Sequence, residues 1–180
     1  MLLGRLDDLG FGYVIPEEAA TPTGAIETRE DARRVAALFR ARRDDIDGIV
    51  VSLPNFGDET GIVQALDMAR LDVPVLVHAF DDDIGKVDVA SRRDAFCGKI
   101  SVCNNLYQHG IRWTDTTEHT CPVEAPEFAA DLDRFARICR VVRGMKGARI
   151  GAIGARPAAF QTVRASEKLL EATGITVVPV

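Results

Sequence analysis

Asp47-Gly48-Ile49-Val50-Val51-Ser52-Leu53 and Val73-Pro74-Val75-Leu76-Val77-His78-Ala79-Phe80 are the two stretches that decide the fold. The first is a continuous apolar run entered from a turn, which is typical of a strand buried on both faces of a parallel sheet. The second begins beside Pro74, which suits a strand start. Between them, residues 58–69 predict a helix whose inner face carries Ile62, Ala65, Leu66 and Ala69. Strand, helix and strand in this order predict a right-handed βαβ unit.

The region before this unit predicts one more strand and two helical segments. Residues 11–15 have the pattern of a short strand that ends at Pro16. Thr28 is a candidate N-cap, and acidic residues in the first turn suit a helix that runs to about Arg43. Residues 2–9 have the pattern of the tail of a helix, so we expect the sheet's first strand to be missing from the chain.

The region after the unit predicts a short helix over 99–108, a strand or loop near Arg112, and a long helix that begins at Pro126 and ends at Gly144. Residues 148–154 then predict a strand and turn, 161–173 an amphipathic helix, and 175–180 another strand. One βαβ unit cannot cover both faces of its own strands. We therefore expect a first α/β domain over 1–145 with a linker helix over 126–143, and the start of a truncated second α/β domain over 146–180.

Composition and charge exclude several classes of protein. The 27 acidic residues outnumber the 22 basic ones, for a net charge of −5, whereas a nucleic-acid binder usually carries a basic face. No apolar run approaches the roughly 20 residues of a membrane span. Because Arg5, Asp7 and Asp8 closely follow Met1, we expect no signal peptide. The four cysteines form no CxxC pair, so we expect reduced thiols and a cytoplasmic protein.

Several segments, in order, resemble bacterial L-fucose isomerase-related proteins. Residues 47–59 are similar to the second strand and following loop of that family, and residues 75–80 to the next strand. Residues 132–137, 142–147 and 150–154 are similar to the helix, Met-Lys-Gly turn and strand that join the family's first two domains. Each segment alone is a weak signal, and their ordered combination is moderately specific. The resemblance implies a Rossmann- or flavodoxin-like parallel sheet in the first domain.

The resemblance also implies an activity, a cofactor and an assembly. Family members interconvert aldoses and ketoses, usually with Mn²⁺, while carboxylates move a proton between two carbons. The family's metal ligands lie downstream of the matched region, so we expect Mn²⁺ to bind outside this chain and assign no catalytic or metal residue to it. The first domain of the family lends side chains to a neighbouring subunit's sugar pocket, which implies a homo-oligomer that acts on a pentose or deoxyhexose.

Four residues are candidates for contact with a sugar. Asn55 and Phe56 follow a strand at its carboxyl end, where open α/β sheets bind ligands. L-fucose isomerases carry a Trp-bearing segment there, so Phe56 replaces that aromatic or the aromatic is lost, and the sugar need not be fucose. The alternative is a turn with Phe56 folded onto the core. Arg156 and Gln161 open a predicted helix, whose N-terminus suits a hydroxyl-rich or anionic ligand, and the alternative for Arg156 is a surface position.

Other polar groups have a plainer interpretation. His78 with Asp81, Asp82 and Asp83 could hold a hard cation, but an exposed acidic turn is favoured. Glu118, His119 and Cys121 fit no closed zinc site. The polar and aromatic residues of the less regular region fit a pocket rim or an oligomer contact equally well, namely Lys99, Asn104, Asn105, Gln108, His109 and Trp113.

Two further functions remain open beside the isomerase. One is a non-catalytic cytoplasmic sugar-binding α/β module. The other is a flavin- or nucleotide-binding domain, against which the lack of a glycine-rich phosphate loop argues, since the run from Gly151 to Gly154 is not GxGxxG. If the isomerase hypothesis holds, the isolated chain is expected to be inactive.

Overall fold

Three parallel strands form the sheet on which the first part of the chain is built. The computed structural model describes residues 1–17, 20–21, 24–154 and 158–180. The strands β1 (Ile49–Leu53), β2 (Val75–Ala79) and β3 (Thr114–Asp115) lie in the order β1-β2-β3. Ile49 pairs with Val75, and Leu76 pairs with Thr114. The α/β fold with a parallel, Rossmann-like sheet is thereby confirmed.

In the described residues, five α-helices accompany this sheet: α1 (Leu2–Asp8), α2 (Arg29–Ala41), α3 (Glu59–Ala69), α4 (Ala95–Gln108) and α5 (Pro126–Met145). Alternate side chains of β2 point to opposite faces, and each face has its own hydrophobic cluster. Leu76 packs with residues of α1 and α5, whereas Val75 and Val77 pack with residues of α3 and α4. β2 is therefore buried along its whole length, while β1 is largely half-buried.

Capping explains where α2 and α3 begin. The Thr28 side chain accepts a hydrogen bond from the Asp31 backbone N–H at 3.1 Å, and the Asp31 carboxylate accepts from the Thr28 N–H at 3.0 Å. This reciprocal capping box confirms the predicted N-cap. Asp58 caps α3 by accepting from the Gly61 N–H at 2.7 Å. α2 then packs on α3 through small residues, with Ala32 against Ala65 in one cluster and Ala36 against Ala69 in another.

One predicted strand is absent, and two predicted helices have other bounds in the structure. Residues 11–15 form no strand, and Tyr13 and Ile15 are exposed, so the segment lacks the buried face that a strand needs. α4 begins at Ala95, four residues earlier than predicted. The predicted helix over 161–173 is a 3₁₀ turn (Gln161–Val163) followed by the short helix α6 (Glu167–Glu171). Isolated short helices are marginal without tertiary cover, and Leu169 on α6 is exposed.

The chain divides into two compact units, Met1–Cys139 and Arg140–Val180. The second unit contains β4 (Arg149–Ala152) and β5 (Thr176–Pro179), which pair in parallel, together with α6. The division falls within α5. The predicted boundary after residue 145 and the truncation of the second domain stay predictions. In the described residues, no helix is long and apolar enough to cross a membrane.

Candidate functional site

The carboxyl ends of the three strands bring three loops to one edge of the sheet. These loops are residues 54–58 after β1, 80–94 after β2 and 116–125 after β3. Because ligands of open α/β sheets bind outside the carboxyl ends of the strands, this edge is the candidate site. The amino end of α4 lies beside it, and several contacts below join α4 to the loops.

Asn55 and Phe56 lie in the loop after β1, where the backbone holds them firmly. The Phe56 N–H donates to Asn55 Oδ1 at 2.8 Å and to the Arg93 carbonyl at 2.9 Å. Gly98 of α4 packs closely against this loop, since a Cβ on residue 98 would lie 2.7 Å from Phe56 Cα. Phe56 is 40% exposed and does not join the core. Its ring is therefore free to contact a ligand on a fixed backbone.

Asp82, in the loop after β2, caps α4. Its carboxylate accepts from the Ala95 N–H at 2.7 Å and from the Phe96 N–H at 3.0 Å. An acidic group at a helix N-terminus is stabilising, because it satisfies free amides and opposes the helix dipole. Asp83 instead accepts from the Gly85 N–H and pairs with Lys86 at 3.5 Å. Asp82 therefore stabilises the start of α4, whereas Asp83 stabilises its own loop.

Lys99 is wholly buried and joins α4 to the loop after β3. Its ammonium donates to Thr116 Oγ1 at 2.8 Å and to the His119 carbonyl at 3.0 Å, and lies 3.4 Å from Asp115 Oδ1. A buried ammonium is tolerated only with such partners. Sequence reasoning placed Lys99 on a pocket rim or a contact surface, which is wrong. Its spacing from the apolar Ala95 and Val102 is the signal that would have placed it on the buried face.

Phe96 and His119 form an exposed ring pair beside this anchor. Their ring centroids are 4.4 Å apart and the planes are inclined at 59°. His119 Nε2 lies 3.4 Å from the Phe96 carbonyl. Since Lys99 binds the His119 carbonyl, the buried cation fixes the position of this pair. The edge therefore presents partly exposed aromatic rings from Phe56 and Phe96, and such rings suit the apolar face of a ligand.

His78 is buried and fully hydrogen-bonded. The Cys121 carbonyl can only accept, so the proton lies on His78 Nε2, which donates to that carbonyl across 2.9 Å. His78 Nδ1 then accepts from Ser52 Oγ at 3.0 Å. Burial lowers the pKa of His78, against the smaller opposite effect of the bond to Cys121. The ring is a neutral structural group between Phe80 and Phe128.

The described residues contain no group of three His, Cys, Asp or Glu side chains that could hold a metal ion. Four free cysteines are present, and burial raises the pKa of three of them, Cys103, Cys121 and Cys139, to about 11. Such thiols are poor metal ligands at neutral pH, because the thiolate is the ligand. The residues at this edge do not fit Mn²⁺, and the expectation that the ion binds outside this chain stays a prediction.

The four residues predicted to contact a sugar lie in different parts of the chain. Asn55 and Phe56 are neighbours on the carboxyl edge. Gln161 is exposed in a 3₁₀ turn of the second unit. Arg156 lies outside the described residues. The predicted contacts of all four with a sugar stay predictions.

An open cavity of about 400 Å³ lies at the other end of α4. It is lined by Tyr107, Gly110, Ile111, Arg112 and Trp113. Trp113 is held there by a hydrogen bond from Nε1 to Asp115 Oδ2 at 3.3 Å. The cavity belongs to the first unit but is separated from the carboxyl edge by the length of α4.

Comparison with models of protein families gives a match over most of the chain. Residues 2–146 match the family model described as the N-terminal domain of fucose/sulfoquinovose isomerase. No curated protein matches the chain. The matched region contains β1, β2, β3 and the whole of the carboxyl edge.

Proposed function

The chain belongs to the fucose/sulfoquinovose isomerase family, through its N-terminal domain, and from this premise we propose that it is the N-terminal region of a metal-dependent aldose–ketose isomerase. The substrate that we propose is a pentose or deoxyhexose sugar. The chain forms part of a homo-oligomer and lends side chains to the sugar pocket. The observation that carries this proposal is the family match, which spans more than half of the chain.

The geometry of the carboxyl edge supports the role in the sugar pocket. Phe56 is partly exposed on a loop whose backbone is fixed by Arg93 and Gly98. An aromatic side chain on a fixed backbone offers an apolar surface to one face of a sugar at little entropic cost. Asn55 has donors left over for sugar hydroxyls, since only its side-chain oxygen has a partner among the described contacts. These two residues are binding residues, and no proton transfer is assigned to this chain.

The divalent metal is proposed because the chain belongs to this family, and no residue of this chain is proposed to bind it. A divalent ion in such a reaction polarises the carbonyl and hydroxyl oxygens of the sugar. The residues of this edge do not form its site, so the contribution of this chain is to position the sugar.

The test is an isomerase assay on the product of the whole gene that encodes this chain, with Mn²⁺ and a panel of aldoses. We expect ketose to form from at least one pentose or deoxyhexose. Replacement of Phe56 by Ala should raise KM by roughly tenfold with little change in kcat, because the lost contact is made equally in ground state and transition state. Phe160→Ala is the matched control, since Phe160 is an exposed phenylalanine of the second unit.

The possible outcomes distinguish the isomerase activity from the role of Phe56 in the sugar pocket. Absence of conversion for every aldose would show that the isomerase proposal is wrong, and sugar binding without conversion would favour the non-catalytic sugar-binding module. Conversion with an unchanged KM in Phe56→Ala would leave the isomerase standing and remove Phe56 from the pocket.

A further inference from the structure

Two buried charged side chains hold the loop after β3 from opposite faces of the sheet. Lys99 of α4 donates to Thr116 Oγ1 and to the His119 carbonyl. Asp131 of α5, which is 2% exposed, accepts from the Thr117 N–H and from Thr117 Oγ1, both at 2.7 Å. α4 packs in the hydrophobic cluster on one face of β2, and α5 packs in the cluster on the other face. The loop is therefore fixed by charged groups that reach it from both sides.

This support exceeds what a stable fold requires. Removing an ion from water is unfavourable, and apolar residues of similar volume at buried positions often give equal or greater stability. The same loop is also bonded to β2, since the Cys121 N–H donates to the Ala79 carbonyl at 3.0 Å and His78 donates to the Cys121 carbonyl. Buried supporting groups of this kind keep a binding residue in a fixed place. A surface loop supported in this way is suited to present a side chain to a ligand.

His119 is the exposed side chain that this loop places against the ring of Phe96. Its Nε2 lies 3.4 Å from the Phe96 carbonyl. Because that carbonyl can only accept, Nε2 carries the proton, and Nδ1 of the neutral ring is an acceptor. In the part of the chain that the structure describes, no hydrogen bond reaches Nδ1. Phe96 lies two residues before Gly98, which packs against Phe56, so His119 and Phe56 belong to the same end of α4.

We propose that His119 is a further sugar-binding residue, whose Nδ1 accepts a hydrogen bond from a sugar hydroxyl, and that Lys99 is a positioning residue that acts through His119. This role depends on the sugar pocket that we propose for the carboxyl edge. A sugar has an apolar face and hydroxyl donors at its rim, so a fixed acceptor next to an aromatic ring matches it. In that pocket Asn55 supplies amide donors, and His119 supplies an acceptor.

The test compares substitutions of His119 in the product of the whole gene, with L-fucose and L-arabinose as probe sugars and Mn²⁺ present. We expect His119→Ala to raise KM at least about tenfold with little change in kcat, because the lost hydrogen bond is made equally in ground state and transition state. His119→Asn should recover most of this loss, since its amide oxygen can take the place of Nδ1. His109→Ala, at an exposed position after α4, is the matched control and should behave as the wild type. An equal loss in His119→Asn and His119→Ala would overturn the role of Nδ1.

Calorimetric measurement of sugar binding separates failure of this role from failure of the isomerase proposal. Conversion by the wild type with an unchanged KM in His119→Ala would overturn the role of His119 alone. If the wild type binds a probe sugar without converting it, the dissociation constant replaces KM, and an equal constant in His119→Ala would overturn the role. Absence of binding by the wild type would overturn both proposals.

A double-mutant cycle tests Lys99 as a positioning residue. Lys99→Met keeps the length of the side chain and removes the ammonium, so we expect a thermal midpoint near that of the wild type and a KM that is at least about fivefold higher. In the His119→Ala background, the same change should alter KM by less than about twofold, because its effect passes through His119. An equal rise of KM in both backgrounds would refute the positioning role. If Lys99→Met fails to fold, Thr116→Val makes the same comparison, since it removes one hydrogen bond by which Lys99 holds the loop.

Discussion

His78 illustrates how a single residue can depend on two distant parts of the chain. Its ring accepts from Ser52 on the neighbouring strand and donates to Cys121 in the loop after β3. Phe80 and Phe128 enclose it. A charged imidazolium could not accept from Ser52 and would be buried among apolar rings. The native structure therefore requires the His78 ring to be uncharged.

The pH dependence of stability follows from the lowered pKa of His78. The unfolded chain takes up a proton near the ordinary value of 6.5, whereas the folded chain resists it until lower pH. The stabilising contribution is therefore present above that value and is lost as the pH falls below it. We expect the thermal midpoint to decrease as the pH is lowered from about 8 to about 5.5, the range in which histidine titrates.

The same experiment on two variants assigns this effect to His78. In His78→Gln the decrease over this range should be smaller, and at high pH the variant should be about 1–3 kcal/mol less stable because buried hydrogen bonds are lost. His109→Gln, at an exposed position after α4, should keep the wild-type pH dependence. A wild-type slope in His78→Gln would contradict the assignment.

At the scale of elements, the contact between α4 and the loop after β1 requires that residue 98 be a glycine, which has no Cβ. Gly98 lies so close to Phe56 that a Cβ would overlap its carbonyl oxygen and come within 2.7 Å of its Cα. Both neighbours are backbone atoms and cannot rotate away. The position of Phe56 is therefore set by the absence of a side chain on α4.

A pair of identical substitutions tests this contact. Gly98→Ala should destabilise the chain by about 1–3 kcal/mol, because overpacking outweighs the gain in helix propensity. Gly4→Ala, in α1, should stabilise it by up to about 1 kcal/mol, since a Cβ there meets nothing within 4 Å. Urea unfolding measures both. Stabilisation by Gly98→Ala would show that the loop and α4 are not in close contact.

The elements themselves were largely predictable from local patterns. The runs around β1 and β2 and the cap at Thr28 contain their own signals, because apolar burial and capping act over a few residues. The start of α4 at Ala95 was not predictable in this way, since Asp82 caps it from 13 residues earlier in the chain. The contacts of Lys99 and His78 escaped prediction for the same reason. By contrast, the placement of Asn55 and Phe56 at the carboxyl edge follows from the order of strand and loop alone.

At the scale of the whole molecule, the two units differ in how much they bury. Among the described residues, the large hydrophobic clusters lie in the unit Met1–Cys139. In the described part of the unit Arg140–Val180, the one buried hydrophobic residue is Ile175. Since burial of apolar surface provides most of the stability of a fold, the second unit should open more readily than the first.

Hydrogen exchange measures this difference within one sample. We expect the amides of β4 and β5 to exchange at least about 100-fold faster than those of β2, because local opening of a poorly buried unit costs less free energy. The amides of β2 are the internal reference. Equal protection of the two sheets would show that the units unfold together.

The burial of three thiols has a practical consequence for spectroscopy. Cys103, Cys121 and Cys139 are protonated at neutral pH because burial raises the pKa of each to about 11, whereas Cys97 is exposed. Maleimide reagents need an accessible thiolate, so a fluorescent dye can be attached to the natural sequence at one chosen place without removing any cysteine. Because Cys97 lies on α4 next to Phe96, the colour and brightness of that dye report directly on whether this helix faces water or another protein.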